Sequence, residues 1–131
     1  MKRFALCFVL MLLAPVTGFA DPSDPDLAPS ISPETLQAER EAGNAPVVVD
    51  VRTPAEFAQG HIPGAVNISW DEPEKIAALD APHGVALYCM VGPRARKGEA
   101  KLLEKGVNGV LHIEGGLAAW KDAGLPVDVA P

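Results

Sequence analysis

The residue best equipped for covalent chemistry is Cys89, in the stretch Tyr88-Cys89-Met90-Val91-Gly92-Pro93-Arg94-Ala95. It closes the apolar run Val85–Cys89, which reads as a buried strand, and four residues separate it from Arg94, which opens a predicted helix over 94–105. A sulfur in so short a loop lies above a helix N-terminus, where backbone N–H groups have no intrahelical partners and point at whatever the loop encloses. The positive end of the helix, with Arg94 beside it, favours thiolate over thiol. Gly92 permits the backbone angles that a tight cradle demands. A nucleophile, an anion cradle and a guanidinium thus come from six consecutive residues. The competing reading is a buried structural cysteine at a strand end. The flanking Gly-Pro-Arg and the lack of a second thiol in the domain argue against it.

Other groups are weaker candidates. Asp50 and Arg52 sit at the carboxyl end of a predicted strand, the edge where parallel sheets bind ligands, and read as a supporting ion pair that fixes neighbouring loops. Glu56 and His61 fall in the same class, with His61 expected to bond backbone. One domain thiol and three scattered imidazoles (His61, His83, His112) lack the spacing of a metal site, so neither metal nor cofactor is expected. Trp120 and Phe57 read as core, and Trp70 as a pocket wall. The acids at 71, 72, 74 and 80 read as a solvated face.

The elements that must position the cysteine follow from periodicity. Ser32-Pro33-Glu34 is a helix start with a capping hydroxyl and a proline at the first helical position, and Gly43-Asn44 stops that helix. Val47–Val51 is a β-branched run without polar alternation until its end, the mark of a strand covered on both faces. Thr53-Pro54 begins a short helix, Gly60–Gly64 turns, and 65–68 is a short strand. Residues 71–79 can form a helix, 109–113 another strand, and 115–123 a last helix stopped by Gly124. Strands and helices alternate with short connections. That pattern predicts one α/β domain whose central sheet, of about five strands, is mainly parallel and flanked by helices.

The first 20 residues stand apart. Lys2 and Arg3 precede a wholly apolar run from Phe4 to Leu13, and Gly18-Phe19-Ala20 offers small residues for cleavage after Ala20. The run is too short to span a bilayer, which needs about 20 residues. The expectation is a cleaved signal peptide at 1–20, a flexible Pro/Asp-rich leader at 21–30 and a domain at 31–131, in the periplasm or secreted. Cys7 leaves with the signal, so Cys89 becomes the sole thiol. Cleavage removes two of the 11 basic residues and none of the 17 acidic ones, leaving a net charge of −8 with histidine neutral. That balance argues against nucleic acid and against stable association with an anionic membrane.

Strand-Cys-x-x-Gly-x-Arg-Ala-helix resembles the active-site loop of the rhodanese family, here as its single-domain exported type. Asp50–Phe57 followed by Gly60–Ile68 is similar to that family's upstream signature, and Gly115–Trp120 with Ala123–Val127 to its closing helix and tail. The resemblance implies a rhodanese-like domain and a sulfurtransferase of the thiosulfate:cyanide type. In that cycle the Cys89 thiolate takes the outer sulfur of a donor such as thiosulfate and sulfite departs. The resulting persulfide gives its sulfur to cyanide or a thiol. The resemblance further implies that the amides of Met90, Val91, Gly92, Pro93, Arg94 and Ala95 bind the sulfur, Pro93 excepted because it has no N–H. Relatives that act on phosphate or arsenate carry one more residue between Cys and Arg, so the spacing here fits a single sulfur better. Met90 and Val91 are apolar where many relatives are basic or polar. They motivate an alternative: a periplasmic persulfide carrier that binds sulfur and delivers it to a partner protein without efficient free turnover.

Overall fold

The computed structural model describes residues 27–130. The expected signal peptide and most of the leader lie outside the described residues. Among those described, no helix is long and apolar enough to cross a membrane.

Five strands make one sheet: β1 (Ser30–Ile31), β2 (Val47–Asp50), β3 (Val66–Asn67), β4 (Val85–Tyr88) and β5 (Val110–Ile113). They lie in the order β1-β5-β4-β2-β3, every pairing parallel. The helices between them are α1 (Pro33–Glu41), α2 (Pro54–Gln59), α3 (Pro73–Ala77), α4 (Pro93–Glu104) and α5 (Gly116–Asp122). α1 to α4 each take proline near their first position, where its fixed φ is already helical and its missing N–H costs nothing. Ser32 caps α1 through Thr35 N–H, and Thr53 with Glu56 forms a reciprocal capping box on α2.

Successive strand side chains point to opposite faces, so the apolar runs feed two cores. Val49, Val51, Val85, Leu87, Cys89 and Val110 pack with Ile76 of α3 and with Ala95 and Leu102 of α4. Val48, Ala86, Tyr88 and Ile113 pack with Leu36 of α1 and with Leu117 and Trp120 of α5. The central strands β2 and β4 are therefore covered on both sides, which is why their sequences are nearly continuous in apolar residues.

Three expectations need correction. The domain starts earlier than Ile31: Ala28 is buried, Pro29 O accepts from His112 N–H, and β1 adds a strand at the sheet edge. Its register, Ser30 with His112 and Ile31 with Ile113, is a long-range pairing that two residues beside a proline do not announce. Trp70, expected as a pocket wall, does not line the recess beside Met90. It packs against α4 beside Gly98, with the Lys97 and Lys101 ammonium groups 5.3 and 5.9 Å from its ring centroid. Phe57 is only half-buried and stacks on His61 at 3.7 Å, whereas Trp120 is fully buried as expected.

Candidate active site

Cys89 follows the last residue of β4 and is 1% exposed. The chain then turns through Met90, Val91 and Gly92 into α4. The Gly92 N–H donates to Cys89 Sγ at 3.0 Å. Gly92 has φ 147° and ψ −39°, outside the helical region, so the amide can turn back to the sulfur while its own carbonyl receives Arg96 N–H at 3.0 Å. Pro93 contributes no N–H. Those of Arg94 and Ala95, in the first turn, have no acceptor one turn back and point toward the helix start, where the sulfur lies.

The opposite side of the loop is held by α5. Leu117 N–H donates to Cys89 O at 2.9 Å and Ala118 N–H to Met90 O at 3.0 Å. The first amides of one helix thus draw the loop carbonyls outward while those of the other face inward. Negative ends turn away from the sulfur and positive ends toward it. This close approach depends on Gly116: a Cβ there would lie 2.5 Å from Cys89 O and 2.7 Å from Met90 O, and its φ of +60° disfavours any side chain. Gly116→Ala is expected to cost about 2–3 kcal/mol, from backbone strain and overpacking together. It should also slow Cys89 alkylation, because the loop must move away from α5. Urea denaturation and iodoacetamide kinetics check both. A variant with unchanged stability and thiol reactivity would contradict this account of the loop.

Arg94 does not reach over the sulfur as a free cation. Its Nη1 and Nη2 donate to Glu56 Oε1 and Oε2 at 2.7 and 3.0 Å, a two-pronged clamp between α4 and α2. Glu56, a structural residue in the sequence reading, fixes the first turn of the cysteine helix. The hydrogen bonds from Arg94, with smaller contributions from Thr53, hold the Glu56 carboxyl at about 2, against a burial effect of opposite sign. A carboxylate with a depressed folded value stabilises above its ordinary value of 4.5, and that contribution is lost as pH falls through about 2. Both side chains are 34% exposed, so the pair is worth at most about 1 kcal/mol. Its expected signature is positional: the amide resonances of residues 90–92, 94 and 95 stay in place from pH 7 to pH 4 and move only as pH approaches 2. Glu56→Gln should lack that acid step. A loop transition near pH 4.5 in the unaltered protein would show that the clamp is absent in solution.

Asp50 and Arg52 form the expected ion pair, 0% and 2% exposed. Arg52 Nη2 donates to Asp50 Oδ2 and to Gly60 O, each at 2.7 Å, and the Arg52 N–H donates to Asp50 Oδ1 at 2.9 Å. Burial works against the charge on Arg52, but the hydrogen bonds and field of Asp50 outweigh it and raise its guanidinium further. Asn67 ties the same turn down through Asp50 O and Arg52 O. Tyr88, directly before the cysteine, accepts the Ile62 N–H at its hydroxyl, and burial pushes its phenol well above the usual range. His61 bonds Phe57 O at 2.8 Å, the backbone role expected of it.

At the surface, Met90 is 38% and Val91 60% exposed, two large apolar side chains beside a buried sulfur. A shallow recess of about 150 Å³ opens next to Met90, lined by Arg52, Glu56, Gln59, Gly60, Leu117 and Lys121. The structure therefore gathers residues 89–95 with Asp50 and Arg52. It adds Gly116 and Lys121, which sequence reasoning did not place at the site, and gives Glu56, a supporting residue in the sequence reading, its partner in Arg94. The repeated Gly115-Gly116 before a helix was the one available signal for Gly116.

The profile of the rhodanese-like domain matches residues 32–123. A sulfurtransferase of Allochromatium vinosum is 40% identical over 86 residues, 65% of this chain and 79% of that protein. The thiosulfate sulfurtransferase GlpE of Stutzerimonas stutzeri is 36% identical over 100 residues, 76% of this chain and 89% of that one. An uncharacterized protein of Synechocystis is 39% identical over 99 residues, 74% of this chain, which spans only 54% of that longer protein. Among solved structures, a rhodanese-related protein of Thermoplasma volcanium superposes with a TM-score of 0.64 at 31% identity, over 76% of this chain and 97% of that one.

Proposed function

This chain belongs to the rhodanese-like domain family, and we propose that it is a sulfurtransferase that carries sulfane sulfur as a persulfide on Cys89. The observation that supports this most directly is the Cys89 sulfur receiving the Gly92 N–H at 3.0 Å, at the mouth of a helix start and with the loop carbonyls turned away. Such a site stabilises negative charge on sulfur without a side-chain base.

The cycle balances. The Cys89 thiolate attacks the outer sulfur of a donor such as thiosulfate. The donor S–S bond breaks with its electron pair leaving on sulfite, and the new terminal sulfur is anionic. An acceptor nucleophile, cyanide or a thiolate, then bonds that sulfur, and the pair of the Cys89 S–S bond returns to Cys89. Both sulfur anions occupy the loop, so the same amides serve both half-reactions. Four residues between Cys89 and Arg94 make a small ring of donors, which suits one added sulfur atom better than a tetrahedral oxyanion. The relatives named as sulfurtransferases support the reaction class, and the GlpE protein supports thiosulfate as a donor. The exposure of Met90 and Val91 supports a donor or acceptor presented on another protein, because they offer apolar contact at the mouth without charge for a small anion. Export to the periplasm rests on the charged start and apolar run at residues 2–13, and a mature chain beginning at Asp21 is its test.

Incubation of the protein with thiosulfate should add the mass of one sulfur atom to the peptide containing Cys89. Cyanide should then remove it with release of thiocyanate. A protein that gains no sulfur from thiosulfate, polysulfide or a persulfidated thiol would overturn the reading.

A further inference from the structure

Beneath the sulfur loop lies a buried carboxyl–imidazole pair with no part in the cycle above. Glu99 of α4 is 1% exposed and His112 of β5 is 6% exposed. Glu99 Oε2 and His112 Nδ1 are 2.7 Å apart. The other carboxylate oxygen, Glu99 Oε1, accepts from Arg96 Nη1 at 3.2 Å, and Arg96 is itself anchored on Ala28 O and on Ser30 Oγ. A buried carboxylate is costly to desolvate, and apolar side chains could fill the same volume at least as stably. With Nδ1 engaged by Glu99, the far edge of the ring, Cε1 and Nε2, is the part turned to the loop. A Cβ built on Gly92 would lie 3.7 Å from both atoms. Gly92 is the residue whose N–H reaches Cys89 Sγ.

We propose that His112, oriented by Glu99, is a positioning residue for sulfur transfer: its ring is the floor that holds Gly92 with its amide on the sulfur. This rests on the proposed chemistry of Cys89 but assigns a device that this chemistry does not require. The network runs from the first strand through Arg96, Glu99 and His112 to the loop apex. The Gly92 amide that donates to the sulfur is thereby fixed by the sheet edge as well as by its own helix. The charged and titratable groups in contact along it are Glu99 and Arg96 of α4 and the Cys89 thiol at the end of β4. From β1 comes the Ser30 hydroxyl and from the residues before it the Ala28 carbonyl, both bonded to Arg96.

His112→Asn separates the positioning role from a merely structural one. The shorter amide can still donate to Glu99 as Nδ1–H does, but nothing of it reaches under Gly92. The variant is expected to melt near the unaltered protein. Its profile of Cys89 alkylation against pH should be displaced to higher pH, and sulfur loading should slow about tenfold or more, the order expected when a charge-stabilising donor is misplaced. A second pair guards against misfolding of that variant. Glu99→Leu should show the same displaced profile, and Glu99→Gln, which can still accept from Nδ1–H, should recover most of it. Unaltered alkylation profiles in both His112→Asn and Glu99→Leu would overturn the proposal. Alkylation needs only the loop and its thiol, so this result is independent of whether any sulfur donor is used. A displaced profile with no sulfur loading in the unaltered protein would leave the positioning role standing and sink the proposed reaction instead.

Discussion

Cys89→Ser is expected to lose all sulfur loading and all conversion of thiosulfate and cyanide to thiocyanate, with its melting temperature within a few degrees of the unaltered protein. The two halves of that expectation have different physical origins. Serine is close to isosteric with cysteine, and its hydroxyl can accept the Gly92 N–H that now reaches Sγ. The residue is 1% exposed, so a smaller polar atom there has its hydrogen bond supplied rather than orphaned. Stability should therefore change by no more than about 1 kcal/mol, as for substitutions that open little space and strand no polar group. Reactivity has no such compensation. An alkoxide forms far less readily than a thiolate, and the loop amides that suffice for a sulfur anion supply no base to take the hydroxyl proton. Intact-mass measurement after thiosulfate treatment and a thiocyanate assay check the loss, and thermal denaturation checks the fold. Residual turnover at the unaltered rate would mean that the transferred sulfur never resides on Cys89.

How much of this was legible in the chain depended on how local each feature is. The cysteine loop was readable because nucleophile, glycine, proline and arginine are consecutive, and a strand end joined to a helix start can fold in few ways. The parallel sheet was readable from the β-branched run Val47–Val51 and from short connections. Features that join distant segments were not. Arg94 reads from the sequence as a cation near the sulfur, and Cys89 does act on its charge, but the group it hydrogen-bonds is Glu56, 38 positions away, and no periodicity links them. Spacing along the chain speaks of His112 only as a metal ligand, and its actual partner Glu99 lies 13 positions earlier on another element. Strand β1 was missed for the same reason: its two residues become a strand only by pairing with β5. Trp70 follows a short strand and its N–H bonds Val51 O at the end of β2, but its ring is taken up by Lys97 and Lys101 of α4 rather than by the recess beside Met90. In each case an interaction across the fold decided the outcome, and propensity was silent.

Arg52→Leu is expected to cost about 3–5 kcal/mol, the loss found when one partner of a buried ion pair is removed. The reason is what remains. Asp50 is 0% exposed, and without the Arg52 guanidinium its carboxylate keeps the backbone N–H of residue 52 but loses the one cation that hydrogen-bonds it among the described residues. Gly60 O loses its guanidinium as well. A leucine fills the volume but answers neither acceptor. Asp50→Asn added to Arg52→Leu should recover part of the stability, since an amide costs less to bury than an unpaired charge. Urea denaturation of the two variants checks the order. Equal stability of Arg52→Leu and the unaltered protein would show that Asp50 has another counter-charge in solution. Activity should not follow the recovery. Asp50 is in register with Tyr88, the residue before the nucleophile, and Val51 N–H bonds Tyr88 O, so the end of β2 is the flank against which the cysteine loop is built. Arg52 reaches from that end to Gly60, at the C-terminus of the helix that carries Glu56, and Glu56 in turn holds Arg94. A neutral pair can restore the free energy of folding, but it has no fork to span these points. The double variant should therefore fold better than Arg52→Leu and load sulfur no faster.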